Sequence, residues 1–354
     1  MIKDEYSPYK VVHHLDKIEE IKRGAQIDPV QIHLIPTNRC NQNCTFCAYR
    51  MPEYPSSQTF DPCDEMPEDK LLEILDSCSR LGVKGVQYTG GGEPLVHPAI
   101  QKAFELTLKL GLDLALVSNG LALKDPLIEL LADAAWVRIS VDAFHKGTYS
   151  LIRRVKASCH DTVVANIGKL AKRKKRAILG IGFVVNAENF REIYDACRFF
   201  KDLGVDNFRI SAAFTPMGRD YFSGFHEEAK DLARRAKEDF EDAGYTVFNL
   251  FNDRIGDLFH GVQDYAYCPM KEFVPYVGAD LNVYTCCMLA YNGKGLIGSL
   301  KDQTLEELWR GPRKRRFFTE HDPRTLCRQP CMFQGKNEFI NYCIKKDARH
   351  TNFI

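Results

Sequence analysis

Apolar residues recur along this chain in two alternating periods. Val11, Leu15 and Ile18 fall at helical spacing, so residues 8–24 read as an amphipathic helix that Gly24 stops. Residues 31–35 read as a strand ended by Pro36, and a long cysteine-bearing loop follows to about Pro67. Beyond it the two periods take turns. Helical spacing covers 70–81, 100–110, 126–134, 160–175 and 190–203, and strand-like runs cover 83–89, 114–118, 136–141, 178–185 and 208–212. Six strands with interleaved helices predict a parallel sheet with right-handed crossovers, either an open barrel or a doubly wound sheet. Sites in such folds sit at the carboxyl ends of strands.

A strongly charged helical stretch, residues 227–243, follows as a junction, and the alternation stops after Tyr267. The tail from Cys268 has short strand-like pieces and one helix at 305–309, and it reads as a separate, loop-rich module. The pattern divides the chain into an N-terminal helical segment (1–30), a strand–helix body (31–250) and the tail (251–354).

Composition changes this picture in one respect. With 354 residues, 45% hydrophobic and 27% charged, the chain can bury a large core and is no disordered segment or rod. A net charge of +1 argues against a general nucleic-acid coat. No run of 18 apolar residues predicts a membrane span. The charged N-terminus lacks the apolar stretch of a secretory signal, so a cytoplasmic location is expected. The anomaly is 13 cysteines, six of them in the tail. Many cysteines without an export signal point to metal or redox chemistry rather than a disulfide framework.

Cys40, Cys44 and Cys47 stand in a CxxxCxxC spacing on the loop after the first strand. Three thiolates on one tight loop can hold three irons of a cubane, leaving the fourth open for a ligand from outside the protein. The alternatives are a zinc loop completed by a fourth residue, or buried unligated cysteines. The second strand ends in Thr89-Gly90-Gly91-Gly92-Glu93-Pro94, where adjacent glycines permit close backbone approach. The third ends in Ser118-Asn119-Gly120 and the fourth in Ile139-Ser140-Val141-Asp142.

In these motifs, with Phe46 just before the last cysteine, the chain resembles the radical S-adenosylmethionine (SAM) superfamily. The resemblance implies an α/β fold, a partial (β/α)6 TIM-like barrel, with a small loop-rich C-terminal iron–sulfur domain. It implies that Cys40, Cys44 and Cys47 hold a 4Fe–4S cluster. It also implies that Phe46, Gly91, Gly92, Glu93, Ser118, Asn119, Ser140, Arg153 and Ile181 contact SAM. Arg153 would pair with the SAM carboxylate, a planar fork suiting that group, and Arg154 beside it is an equal candidate. For Phe183, on the fifth strand, plain core is the better reading.

The tail resembles the SPASM or "twitch" extension, which carries auxiliary iron–sulfur clusters. Cys268, Cys286, Cys327 and Cys331 follow the order of its shortened form, implying one auxiliary 4Fe–4S cluster, with Cys343 in reserve. A structural zinc knuckle is the alternative for the same thiolates. The remaining Cys63, Cys78, Cys159, Cys197 and Cys287 read as apolar fillers, though relatives that epimerise use one cysteine as a hydrogen donor. The basic runs 169–176 and 313–316 read as solvated faces.

The resemblance implies reductive cleavage of SAM to a 5′-deoxyadenosyl radical, which abstracts hydrogen from a small molecule, sugar- or aminocyclitol-like, or from a peptide. Oxidation or epimerisation would follow. An external one-electron reductant such as flavodoxin or ferredoxin is implied, with no nucleic-acid or membrane partner. The roughly 30 residues before the first strand are too few for an independently folded leader-binding domain, which tilts the expectation towards a small molecule. The competing class is a non-catalytic zinc scaffold or electron-transfer protein, which accounts for the cysteines but not for polar residues at four successive strand ends.

Overall fold

The computed structural model describes residues 7–51, 53–254, 263–327 and 331–345. The segment expected as one N-terminal helix is split into a 3-10 turn, Pro8–His14, and helix α1, Leu15–Lys22. Val11, Val12, His13 and His14 are poor helix formers, and the backbone leaves the helical region at His14, φ −130°. Gly24 ends the segment at φ +82°, a left-handed turn suited to glycine.

Seven parallel strands follow: β1 (Gln31–Leu34), β2 (Gly85–Tyr88), β3 (Asp113–Ser118), β4 (Trp136–Ser140), β5 (Ile178–Val185), β6 (Asn207–Ala212) and β7 (Thr246–Asn249). Six were expected. The seventh is four residues long and follows the charged helix directly, too short for an alternating pattern to register. The crossovers carry α2 (Glu68–Arg80), α3 (Ile100–Lys109), α4 (Asp125–Ala132), α5 (Lys146–Arg153), α6 (Ser158–Arg173), α7 (Ile193–Asp202) and α8 (His226–Phe240). Helix α5 had no sequence signal, because its eight residues include Gly147 and Thr148 and show barely two turns of periodicity.

The tail adds α9 (Leu250–Arg254), α10 (Met270–Phe273), β8 (Tyr276–Val277), β9 (Asn282–Tyr284), β10 (Leu296–Ser299), α11 (Leu305–Arg310), α12 (Pro312–Glu320), α13 (Pro323–Leu326) and α14 (Gln334–Ile344). Its strands do not form a detached unit. The sheet order is β10-β9-β8-β1-β2-β3-β4-β5-β6-β7, with β8 parallel to β1 and the β8–β9–β10 meander antiparallel. The tail thus covers the otherwise unpaired edge of β1.

The strands alternate. Ile32, Leu34, Val86, Tyr88, Val137 and Ile139 are fully or almost fully buried against the helices, and Gln31, His33, Gln87 and Arg138 face the inside of the curved sheet. The helix layer packs large side chains, among them Phe104, Phe200 and Phe208, each contributing about 1.5–3 kcal/mol on burial. A second cluster ties Ile18 and Ile21 of α1 to Met270, Phe273 and Ile340 of the tail. The basic run 169–176 is a solvated face, with Lys169, Arg173, Lys175 and Arg176 in surface ion pairs. The run 313–316 is not: Lys314 is buried, 3.6 Å from Glu272, and burial pushes its ammonium down to about 8.

Candidate functional site

The loop after β1 is anchored at three places before any cofactor is considered. Its root is held by the segment before α2, where Asn38 N–H donates to the Asp64 carbonyl at 2.8 Å and the Asn38 amide to the Asp61 carbonyl at 2.8 Å. Its middle docks on the end of α5. That helix stops at Arg154, which sits in the left-handed region at φ +52°, and the last carbonyls lack helical partners. The Ile152 and Arg153 carbonyls accept instead from Thr45 N–H (2.9 Å) and Asn43 N–H (3.1 Å). The third anchor is the glycine run. A Cβ on Gly92 would stand 2.1 Å from the Arg39 carbonyl oxygen, and one on Gly91 2.1 Å from the Asn38 side-chain oxygen. These two glycines are therefore required first by the approach of the cysteine loop itself. Gly92 and Glu93 N–H donate to the Thr37 and Arg39 carbonyls.

Cys40, Cys44 and Cys47 are unpaired, part-buried thiols on this loop. Burial, helped by the charge of Glu93 and Cys44, pushes the Cys40 thiol up to about 11, and Cys47 is raised chiefly by burial too. Such thiols stay protonated at neutral pH until a metal displaces the proton. Two donors already face the sulfurs: Arg153 Nη1 lies 3.3 Å from Cys44 Sγ and Asn119 Nδ2 4.0 Å from Cys40 Sγ. Hydrogen bonds to cluster sulfurs tune potential.

Glu93 departs from expectation. It is 3% exposed, and both carboxylate oxygens are occupied: Oε1 accepts from Ser118 Oγ (2.7 Å) and Leu95 N–H (3.1 Å), and Oε2 from Asn119 N–H (2.7 Å). The glutamate binds the β2 turn to the end of β3, and Oε2, with one bond, keeps one acceptor site. Burial raises its carboxyl above the ordinary value against those three bonds. Ser118 is likewise committed, to Glu93 and to Gly120 N–H at 2.9 Å.

Arg153 is buried and pairs with Asp142, itself at φ +60° and accepting from Val184 N–H at 2.6 Å. Burial raises the Asp142 carboxyl and the guanidinium opposes that shift. Arg153 Nη1 also reaches Gln42 Oε1 at 3.3 Å, and the guanidinium lies over Phe46, 5.6 Å from the ring centroid. Its Nε is buried with no hydrogen-bond partner among the described residues. Arg154 is exposed, so the structure favours Arg153 of the two for the site. Gln42, Asp142 and Glu192 were missed in the sequence. Glu192 accepts from Phe144 and His145 N–H at 2.7 and 2.9 Å and so holds the start of α5. An acidic residue two places beyond Ser140 was the available signal for Asp142.

Ser140 lies at the end of β4 on the inner face, across from Gly182. Ile181 does not join it: the side chain is fully buried in the helix layer, and Gly180 and Gly182 are the residues of β5 that face inwards. Alternation puts neighbours on opposite faces. Phe183 is core, as expected. A half-open cavity of about 610 Å³ enters the curved sheet at the amino-terminal ends of the strands, past Lys84, Asp113, Trp136 and Asn207, and its wall includes His33, Gln87, Arg138, Arg209 and Cys287.

The tail draws four thiols within electrostatic reach of one another: Cys268, Cys286, Cys327 and Cys331. Burial and this mutual repulsion push Cys268 up to about 11 and Cys327 to about 12. Asn337 sits between two of them, its Oδ1 3.5 Å from Cys268 Sγ and its Nδ2 3.7 Å from Cys331 Sγ. Cys287 lies within electrostatic reach of Cys286 and Cys331 too, with its Sγ 3.5 Å from Met332 Sδ. Cys343 packs against the N-terminal cluster. Among the described residues no three His, Cys, Asp or Glu side chains converge on a single metal ion; a cubane takes its thiolates on separate irons. The residues fit the expected groups: three free thiols on one loop, four in the tail, and an unpartnered guanidinium nitrogen beside the first set. Tyr291 joins the two regions, donating to Asn38 Oδ1 at 2.6 Å.

Comparisons agree with this geometry. Residues 34–200 match the radical SAM superfamily model and residues 268–332 the SPASM iron–sulfur cluster-binding domain. A GTP 3′,8-cyclase of Clostridium perfringens is 30% identical over 248 residues, 66% of this chain and 73% of that protein. The tungsten-containing aldehyde ferredoxin oxidoreductase cofactor-modifying protein of Pyrococcus furiosus is 28% identical over 189 residues, 51% of this chain. The match spans about half the length of that relative. SuiB of Streptococcus suis, in a crystal structure bound to its precursor peptide SuiA, shares the fold with a TM-score of 0.64 at 14% identity, over 97% of this chain and 80% of that one.

Proposed function

The chain belongs to the radical SAM superfamily and carries a SPASM domain, and from that premise we propose that it abstracts a hydrogen atom from a small-molecule substrate seated inside the barrel. The family's cofactors are a 4Fe–4S cluster and SAM, with further iron–sulfur binding in the SPASM domain. When bound and reduced, the first cluster supplies the electron that splits SAM into methionine and the 5′-deoxyadenosyl radical that takes the hydrogen.

In this reading Cys40, Cys44 and Cys47 hold the first cluster, and Cys268, Cys286, Cys327 and Cys331 the auxiliary one. Arg153 offers its unpartnered Nε towards the SAM carboxylate and steadies Cys44. Asn119 and Ser140 offer polar groups at the ends of β3 and β4. Glu93 positions Ser118 and Asn119 and keeps one acceptor site on Oε2 for the SAM amino group. Gly180 and Gly182 make room on β5 for the side chains of Asn207 and Arg138. An external one-electron reductant such as flavodoxin or ferredoxin would supply the electron to the first cluster, and the auxiliary cluster would accept the second electron in an oxidation.

The observation that carries this reading is the convergence of the cysteine loop, the Glu93–Ser118–Asn119 knot and the Asp142–Arg153 pair at the carboxyl ends of the strands. A named relative is a GTP 3′,8-cyclase and a structural neighbour binds a peptide; a cavity of about 610 Å³ suits the small molecule. The test is SAM turnover with dithionite: wild type yields 5′-deoxyadenosine and methionine in equal amounts, and the Cys40/Cys44/Cys47→Ala variant yields none. Retained cleavage in the triple variant contradicts the assignment.

A further inference from the structure

The tail buries a lysine with no carboxylate of its own. Lys271 on α10 is fully buried, three residues beyond Cys268, and its N–H faces the Cys268 thiol. Its ammonium donates to the Phe318 carbonyl at 3.0 Å, in the last turn of α12, and lies 5.1 and 4.8 Å from the Tyr267 and Phe318 ring centroids. Glu272 beside it is committed elsewhere. That carboxylate accepts from Tyr267 Oη and from Ile27 N–H and stands 3.6 Å from Lys314 Nζ. Among the described residues no carboxylate lies within ion-pair distance of Lys271. A buried charge persists only with an opposite charge to face.

The facing charge is the thiol set. Burial lowers the pKa of the ammonium, and Cys268, Glu272 and Cys327 oppose that shift, in that order. Burial raises the Cys268 and Cys327 thiols in turn, and Lys271 is among the groups that oppose it. Asp322 also acts on Cys327, but it is part-exposed and bonded by Arg324 at 2.6 Å. Cys331 meets two neutral donors, Tyr265 Oη at 3.6 Å and Asn337 Nδ2 at 3.7 Å. The loop of Cys40 differs: there Arg153 is paired with Asp142, and Glu93 and Arg50 act on Cys40 with opposite sign. Gaining an electron adds a negative charge to a cluster. A fixed cation and donors aimed at its sulfurs therefore favour the reduced form.

We propose that Lys271 is the built-in counter-ion of the auxiliary cluster, its ammonium stabilising the electron that this cluster takes up from the substrate radical. This rests on the reading of the tail thiols as the auxiliary site. One electron passes from the radical to the cluster, which makes and breaks no bond, and the radical so oxidised sheds a proton to water. The hydrogen bond to Phe318 is the lysine's other role, a cap for α12 that any donor of similar reach could fill. Only the charge acts on the electron.

The test is a redox titration of the reconstituted full-length protein followed by electron spin resonance, the auxiliary signal being the one that SAM leaves unmoved. Lys271→Met lowers the auxiliary midpoint by at least about 59 mV, a tenfold weaker hold on one electron, and leaves the midpoint of the first cluster in place. Lys271→Gln, which keeps a donor for Phe318, lowers it as well. Lys271→Arg, which keeps the charge, stays close to wild type, and Lys172→Gln, on the exposed face of α6, moves neither midpoint. Iron content and near-ultraviolet circular dichroism certify each variant. An auxiliary midpoint unmoved in the folded neutral variants, or lowered equally by Lys271→Arg, overturns the proposal and leaves Lys271 a cap. Loss of the tail iron from all three variants overturns it too, whereas loss from the neutral two with retention in Lys271→Arg upholds it, since the charge is what they lack. Wild type without a SAM-indifferent signal contradicts the auxiliary site itself; a normal second cluster indifferent to Lys271 contradicts the counter-ion alone.

Discussion

Glu93 is committed first to the protein itself, and that fixes what its removal does to the fold. Three bonds, to Ser118, Asn119 and Leu95, end on its two oxygens at a buried position. Glu93→Ala therefore lowers folding stability by about 1.5–3 kcal/mol, the range for a buried hydrogen bond to a charged group. Urea unfolding of the variant measures it; weakened SAM binding with unchanged stability would confine Glu93 to the ligand role. His321 gives the pH dependence. It is buried in the tail, and burial first, then Lys271, holds its imidazole down to about 4 against an ordinary 6.5. The unfolded chain binds the proton below about 6.5 and the folded chain only below about 4. Stability therefore rises with pH across that window and is lost as pH falls through it. Unfolding midpoints measured from pH 7 to pH 4 should fall less steeply for His321→Gln than for wild type. Equal slopes would place the acid sensitivity elsewhere.

Helix α5 is the element on which the cysteine loop leans. Glu192 holds its start, its final carbonyls accept from Asn43 and Thr45, and Arg153 in its last turn pairs with Asp142. Asp142→Asn keeps the left-handed backbone, which Asn tolerates, and removes the charge opposite Arg153. Breaking one side of a buried pair costs about 3–5 kcal/mol. The expected outcome is a loss of that order in denaturant unfolding with poorer iron incorporation in the cysteine loop. An unchanged midpoint would show that Cys44 and Gln42 alone satisfy Arg153. None of this helix was legible in the sequence. Its eight residues carry too little periodicity, and its partners lie far off along the chain: Glu192 is 44 to 48 residues from the groups it binds. The cysteine loop and the strand-end motifs were legible because each is a local string at a predictable place. Ile181 was misassigned for the same reason in reverse, since a string of β5 residues names the strand but the pleat decides which of them faces in.

At the scale of the molecule, one curved sheet carries both cysteine sets. The tail's β8 pairs with β1, whose end opens the Cys40 loop, and Tyr291 reaches back to Asn38. The tail read as separate in the sequence because its strands are two to four residues long; only the pairing partner reveals that they extend the barrel. This arrangement predicts about eight irons per chain, four from each cubane. The most direct measurement is electron spin resonance of the reduced protein with and without SAM, on two variants. With Cys268, Cys286, Cys327 and Cys331 changed to Ala, about four irons remain and their signal shifts when SAM is added, because the open iron belongs to the cluster of Cys40, Cys44 and Cys47. With Cys40, Cys44 and Cys47 changed to Ala, the remaining signal ignores SAM. A SAM-dependent shift in the second variant and not the first, or zinc in place of iron in both, would contradict the account.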